Sequence, residues 1–400
     1  MNPTDNAFIL VCAALVMFMT PGLALFYGGL VRNKNVLSTI MHSFMMLGLV
    51  SVLWAVVGYS LSFGTDIGGF IGGFDFAFLN GVGMGVEGSP AGNLPHLTFM
   101  IFQCMFAVIT PALISGAFAE RMKFSGFMIF SAAWLLLVYA PMCHWVWGGG
   151  WMGEMGALDF AGGAVVHMSS GAAALACAIL LGKRKGYGRE PFIPHNLPMT
   201  ILGAGILWFG WFGFNAGSAL AADGLAANAF VTTHMATAAA VLSWIIAEWV
   251  HGGKATTLGA ASGAVAGLVA ITPAAGFVTP MAATIIGLIA GVLCFGGIML
   301  KNKFGYDDAL DVVGIHGLGG TFGALATGVF ASIGAEGLLM GNAHQLWVQF
   351  VSVVATWVFC FVMTVVIFKV VDALVGMRPS EEDEVRGLDV TQHSETGYQL

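Results

Sequence analysis

The sequence predicts an all-α polytopic membrane protein with 11 transmembrane helices, its N-terminus outside and its C-terminus in the cytoplasm. Three observations carry that reading. Of 400 residues, 58% are hydrophobic and only 9% are charged, and the mean hydropathy is +0.87. A soluble domain carries about 25% charged residues. Apolar runs of about 20 residues, the length a helix needs to cross hydrocarbon, recur from end to end. Once those runs are numbered, all 14 Lys and Arg fall on one side, as the positive-inside rule requires. A β-barrel would show alternating segments of about 10 residues, and none occur.

Cut at their polar breaks, the spans run roughly 7–30, 36–62, 97–119, 124–143, 163–182, 196–220, 226–250, 256–273, 279–300, 309–332 and 344–371. The first follows MNPTDNAF, which lacks the basic stretch of a signal peptide, so it reads as a retained helix. Arg32 and Lys34 follow span one, and Arg121 and Lys123 follow span three. Lys183, Arg184, Lys185 and Arg189 follow span five, Lys254 span seven, and Lys301 and Lys303 span nine. Lys369, Arg378 and Arg386 lie at or beyond the end of span eleven. A missed or invented span would scatter these charges over both faces. The 57 glycines let helix backbones approach closely in lipid, where the hydrophobic effect does not drive association.

The loops on the other side carry acids and no base. Residues 63–96 hold Asp66, Asp75 and Glu87, and the loop 144–162 holds Glu154 and Asp159 among Trp145, Trp147 and Trp151. Such a mouth favours a cation, weakly and in a salt-dependent way. Basic residues are too few and too scattered for nucleic-acid binding. The six cysteines are single, with no metal spacing, and read as packing.

Span five carries His167, preceded by Asp159 and followed by Gly171. Span ten carries His316, preceded by Asp311 and followed by Gly320. The topology runs these two spans in opposite directions. Two inverted five-helix repeats plus a final helix would produce that arrangement. Span ten, Gly-rich and with Asp307, Asp308 and Asp311 at its end, reads as a broken or irregular helix. Residues 1–372 therefore form the transmembrane domain. Residues 373–400, charged and containing Pro379, form a cytoplasmic tail. Its composition favours disorder, with docking on the inner surface or on a partner as the alternative.

An ionisable side chain at hydrocarbon depth is costly and usually marks a pathway. Taken singly, either histidine is as well explained by helix packing; the opposed spans and matching contexts set them apart. Neutral paired imidazoles can share one N–H···N bond and accept a hydrogen bond or a proton from a passing solute. A metal site is not expected, because no further ligands stand at that depth. Span six ends in LWFGWFGFNAGSAL, where Phe214 and Ser218 share a helix face; in span three Phe102 and Phe106 do the same. Trp147 stands beside a glycine run. An indole face and a hydroxyl oxygen suit a small cation with N–H donors, although aromatic packing alone also explains the spacing.

At these residues the chain resembles the ammonium transporter family (Amt/Mep/Rh), on its bacterial Amt branch. The resemblance rests on PGLALFYGGLVRNKNVLS, FQCMFAVITPALISGAFAERM, WVWGGGW, DFAGGAVVHMSSG, WFGWFGFNAGSA and GIHGLGGTFG, in order and over nearly the whole chain. It implies a homotrimer with a pore in each subunit, in the cell inner membrane. It implies an ammonium-binding site of Trp147, Phe106 and Ser218, a gate of Phe106 and Phe214, and the twin histidines His167 and His316 lining the pore. Asp159 would support the site structurally. Ammonium, or methylammonium as analogue, would be the substrate, with no enzyme activity and no cofactor. The tail segment GLDVTQHSETGY resembles the part on which a PII signalling protein docks, with His393-Ser394-Glu395 where the family usually has His-Gly-Glu. An ammonium sensor acting through a tail-bound partner is the alternative. A bis-histidine haem protein is a further alternative, which an absorption spectrum would test.

Overall fold

The structure, a computed structural model, describes residues 1–398. Ten of its helices are long and apolar enough to cross a membrane: α1 Pro3–Leu30, α2 Asn33–Phe63, α3 His96–Phe118, α4 Phe124–Glu154, α5 Gly163–Leu181, α6 Leu197–Gly217, α7 Gly224–Gly252, α9 Pro280–Lys301, α10 Val313–Phe330 and α11 Ala343–Val375. The apolar helix α8, Thr257–Ile271, is shorter. These follow the expected spans closely, because hydropathy over about 20 residues is the strongest signal a membrane chain carries.

The helix starts follow their capping residues. The Asn196 side chain accepts from the Met199 N–H at 3.0 Å, Asp223 from Leu225 N–H at 2.9 Å, and Thr256 from Gly259 N–H at 2.9 Å. Each satisfies a backbone donor that the first helical turn leaves without a partner. Gly253 closes α7 with φ +76°, a conformation glycine adopts without strain.

Helix α1 lies along α6, and α7 along α8 and α9. The α1–α6 seam is built of Gly203, Gly210, Gly213 and Gly217, which face Phe26, Met19 and Cys12 with no room for a Cβ. Small residues at this spacing bring two backbones together in lipid.

One boundary differs from expectation. Span four does not end at residue 143: α-helix continues through Trp147 and resumes over Trp151–Glu154. Trp147 therefore ends a helix and does not sit in a loop. Between α2 and α3, a short antiparallel hairpin pairs Asp66 with Gly72 and Ile67 with Ile71.

The tail corrects the composition-based expectation of disorder. Two short helices, α12 (Glu381–Arg386) and α13 (Leu388–His393), lie against one end of the bundle. The Arg378 guanidinium donates to the Leu181 and Lys183 carbonyls at 2.8 Å and pairs with Glu384, itself 1% exposed. The Asp389 carboxylate accepts from the Leu37 and Ser38 N–H groups at 3.0 and 2.8 Å. The His393 ring packs edge-on against Phe124. At the same end, Arg32 pairs with Glu120 and Arg184 with Asp307, both at 2.8 Å. Charged groups that composition reads as solvated are here consumed by bonds to distant loops.

Candidate functional site

Both histidines stand where the α-helix is broken. The first turns of α5 and α10, Gly163–Met168 and Val313–Gly317, are π-helical. Such wide turns recur at functional sites. A carboxylate organises each start. Asp159 Oδ1 accepts from the N–H groups of Gly162 (2.8 Å) and Gly163 (2.5 Å); its Oδ2 accepts from Ala164 (2.8 Å) and Val165 (3.2 Å). On α10 the cap is Asp308, which accepts from Val313 N–H at 2.8 Å. Asp311, which the sequence reading matched to Asp159, instead pairs with Lys301. The signal was available: Asp159 precedes His167 by the same interval as Asp308 precedes His316.

The two histidines meet. His167 Nδ1 and His316 Nδ1 are 3.2 Å apart, with both rings buried. That is hydrogen-bond length. One ring donates its Nδ1–H to the other's Nδ1 lone pair. The donor ring then keeps an acceptor at Nε2, and the acceptor ring keeps a donor there. The His167 Nε2 is buried with no partner among the described residues.

The glycines that follow the histidines act reciprocally. A Cβ on Gly171 would overlap the backbone of Gly317, beside His316, and one on Gly320 would stand 3.1 Å from His167 Cβ. Each glycine makes room for the opposite helix's histidine turn.

Two cavities lie in series. Phe106, Trp147 and Ser218 line an open vestibule together with Gln103, Phe160 and Leu220. His167 and His316 line a narrow cavity with Phe214, Trp211, Val166 and Val265. The narrow cavity leaves about 10 Å³ for the centre of a water-sized sphere, room for about one water-sized molecule. Phe106 belongs to the vestibule and Phe214 to the narrow cavity, and their rings stack between the two, centroids 4.1 Å apart and inclined by 25°.

Trp147 meets Phe106 edge to face at 5.9 Å, and its Nε1–H donates to the Asp159 carbonyl at 2.9 Å. The Ser218 hydroxyl donates to the Phe214 carbonyl at 2.8 Å, which leaves its oxygen lone pairs for a ligand. Six of the seven residues singled out from the sequence line these two cavities, and the seventh, Asp159, is bonded to Trp147 through its carbonyl. Three more were missed. Trp211 stacks on His167 at 5.3 Å and donates to Thr272 Oγ1. Gln103 and Phe160 complete the vestibule wall. Nothing in their local sequence separates them from the many aromatic and polar residues nearby.

The chain is similar to known proteins over nearly its whole length. The family model described as Ammonium Transporter Family matches residues 7–398. The ammonium transporter of Bacillus subtilis is 56% identical over 405 residues, covering 100% of this chain and 99% of that protein. Amt1 of Archaeoglobus fulgidus is 48% identical, covering 100% of each chain. Among solved structures, Saccharomyces cerevisiae Mep2 superposes with a TM-score of 0.90 at 34% identity, covering 96% of this chain and 89% of that one. A structure titled Sensor Amt Protein gives 0.91 at 30% identity, covering 98% of each. The chain belongs to the ammonium transporter family.

Proposed function

We propose that this protein moves ammonium across a membrane by taking NH4+ from the aromatic vestibule and passing NH3 through the narrow histidine-lined cavity. The observation that carries the reading is the series arrangement: vestibule, stacked Phe106 and Phe214, then the His167–His316 pair. In the vestibule the Trp147 and Phe106 rings attract the cation and the Ser218 oxygen accepts one of its N–H bonds. A bare ion in the narrow cavity would lose hydration with little in return. The proton is therefore separated near the phenylalanine gate or shielded by the histidine pair, and ammonia continues past the rings. Asp159 contributes by fixing the backbone of the histidine turn and, through its carbonyl, the Trp147 indole.

The same reading takes α8 as an eleventh span, at about 1.5 Å rise per residue. It sets the N-terminus outside and the C-terminus in the cytoplasm, with two inverted five-helix halves and residues 373–400 as a regulatory tail. The corresponding caps and π-turns of α5 and α10 support the inversion. A homotrimer in the plasma membrane, and a PII protein at the tail, follow from the family. The curated relatives are named as transporters, so the sensor alternative is not favoured. Growth rescue of an ammonium-uptake-deficient strain on low ammonium tests transport; failure of an expressed, folded protein to rescue contradicts it. Current recording on proteoliposomes after an ammonium pulse decides whether the proton accompanies ammonia, since electroneutral passage gives no sustained current.

A further inference from the structure

Trp147 ends its helix beside three glycines, Gly148–Gly150, and its indole makes one hydrogen bond. Nothing in that short sequence is stiff. The helix end is instead held by His144, one turn earlier. The Gly148 and Gly150 N–H groups donate to the His144 carbonyl at 3.0 and 2.9 Å. The His144 ring is fully buried, with Nδ1 3.0 Å from the Ser62 carbonyl oxygen and Nε2 2.8 Å from Asp66 Oδ1. Both partners are acceptors, and each ring nitrogen faces one of them.

Asp66 belongs to the hairpin between α2 and α3. Its carboxylate also accepts from Gly69 N–H, at 2.8 and 3.0 Å, which closes the hairpin turn. The hydrogen bond from His144, then that from Gly69, hold the Asp66 carboxyl below its ordinary range. Two further bonds run between the same segments: Trp145 Nε1 donates to the Phe70 carbonyl at 2.9 Å, and Trp151 N–H to the Gly69 carbonyl at 3.1 Å. A Cβ on Gly148 would overlap the Ser62 oxygen and crowd the His144 ring. The end of α2, the hairpin and residues 144–151 thus form one clamped unit, and the His144 ring is bonded to two of its three parts.

We propose that His144 and Asp66 form a latch that sets the position of the Trp147 indole, and through it the affinity of the vestibule for its cation. His144 is a positioning residue and does not line the vestibule. The proposal rests on the transport reading above. The attraction of a cation to an indole depends on the ring face being within about 6 Å and correctly turned. A loosened helix end therefore weakens binding without altering the narrow cavity.

The test measures methylammonium uptake in proteoliposomes for wild type, Asp66→Ala and Asp66→Asn. Asp66 lies on an exposed hairpin, so the helices remain intact. Asp66→Ala should raise KM about fivefold with the maximal rate within about twofold. Asp66→Asn should keep KM within about twofold, because its amide oxygen still accepts from Gly69 and its NH2 can donate to a neutral His144 Nε2. Unchanged KM in Asp66→Ala overturns the proposal, and so does an Asn variant as poor as the Ala variant. Hydrogen exchange over residues 145–151 supplies an independent reading. It should quicken at least about tenfold in Asp66→Ala, and unchanged exchange overturns the latch. If wild type carries no substrate, the transport reading fails, and the exchange measurement still decides the latch.

Discussion

The two histidine helices use one device in two unequal copies. On α5, Asp159 is saturated: four backbone N–H groups converge on its two oxygens. Its histidine is pressed between Trp211 and the partner ring. On α10, Asp308 accepts from Val313, and its Oδ1 is buried with no partner among the described residues. Desolvation pushes the Asp308 carboxyl up from the ordinary 3.8 to about 6, with Lys301 opposing the rise. The first copy is a fixed support. The second is an electrostatically costly position that the fold tolerates, and costs of this kind concentrate where function requires them.

Four substitutions test that contrast, from the largest expected effect to the smallest. Asp159→Ala strips four donors of their acceptor at once. It should cost about 3 kcal/mol or more and lower methylammonium uptake at least about 100-fold, read by thermal unfolding in detergent and by uptake assays. A modest loss would mean that the cap is dispensable and that the two copies are more alike than their hydrogen bonds suggest.

The glycine pair comes next. Gly171→Ala drives a methyl group into the Gly317 backbone, which cannot yield, and should cost about 2 to 3 kcal/mol. Gly320→Ala meets the His167 Cβ at 3.1 Å and should cost about 1 kcal/mol. Thermal midpoints in the reverse order would show that α10 yields more readily than α5.

Asp308→Asn is the mildest, and its sign is opposite. A carboxyl raised in the folded state binds its proton more tightly there than in the unfolded chain. Wild-type stability therefore falls as pH rises from about 4 to about 6, and the penalty is fully present above about 6. Asparagine keeps an oxygen for Val313 and carries no charge. It should raise stability by about 1 kcal/mol at pH 7.5 and confer nothing near pH 4. A destabilised variant at pH 7.5 would mean that the ionised Asp308 is supported by Lys301 more than it is penalised by burial.

What the sequence reveals follows from the range of each interaction. The spans are legible because each is a local run of apolar residues. The two histidines are legible because an imidazole inside such a run is conspicuous. Asp308 is not legible as the counterpart of Asp159, because three aspartates stand within five residues and only the hydrogen bond to Val313 distinguishes it. The tail was misread because its partners lie far away in sequence: Arg378 answers Leu181, and Asp389 answers Leu37 and Ser38. Trp211 carries no such signal, since stacking on His167 requires α5 and α6 to be packed first.

The central claim is that the two unequal helices present one shared filter, the imidazole pair at 3.2 Å. The most direct measurement is the selectivity of His167→Ala in proteoliposomes, with ammonium and potassium currents recorded side by side and folding confirmed by gel filtration. The account predicts altered discrimination: ammonium transport is abolished, or potassium enters where wild type excludes it. A folded variant that carries methylammonium and excludes potassium as well as wild type does would contradict it.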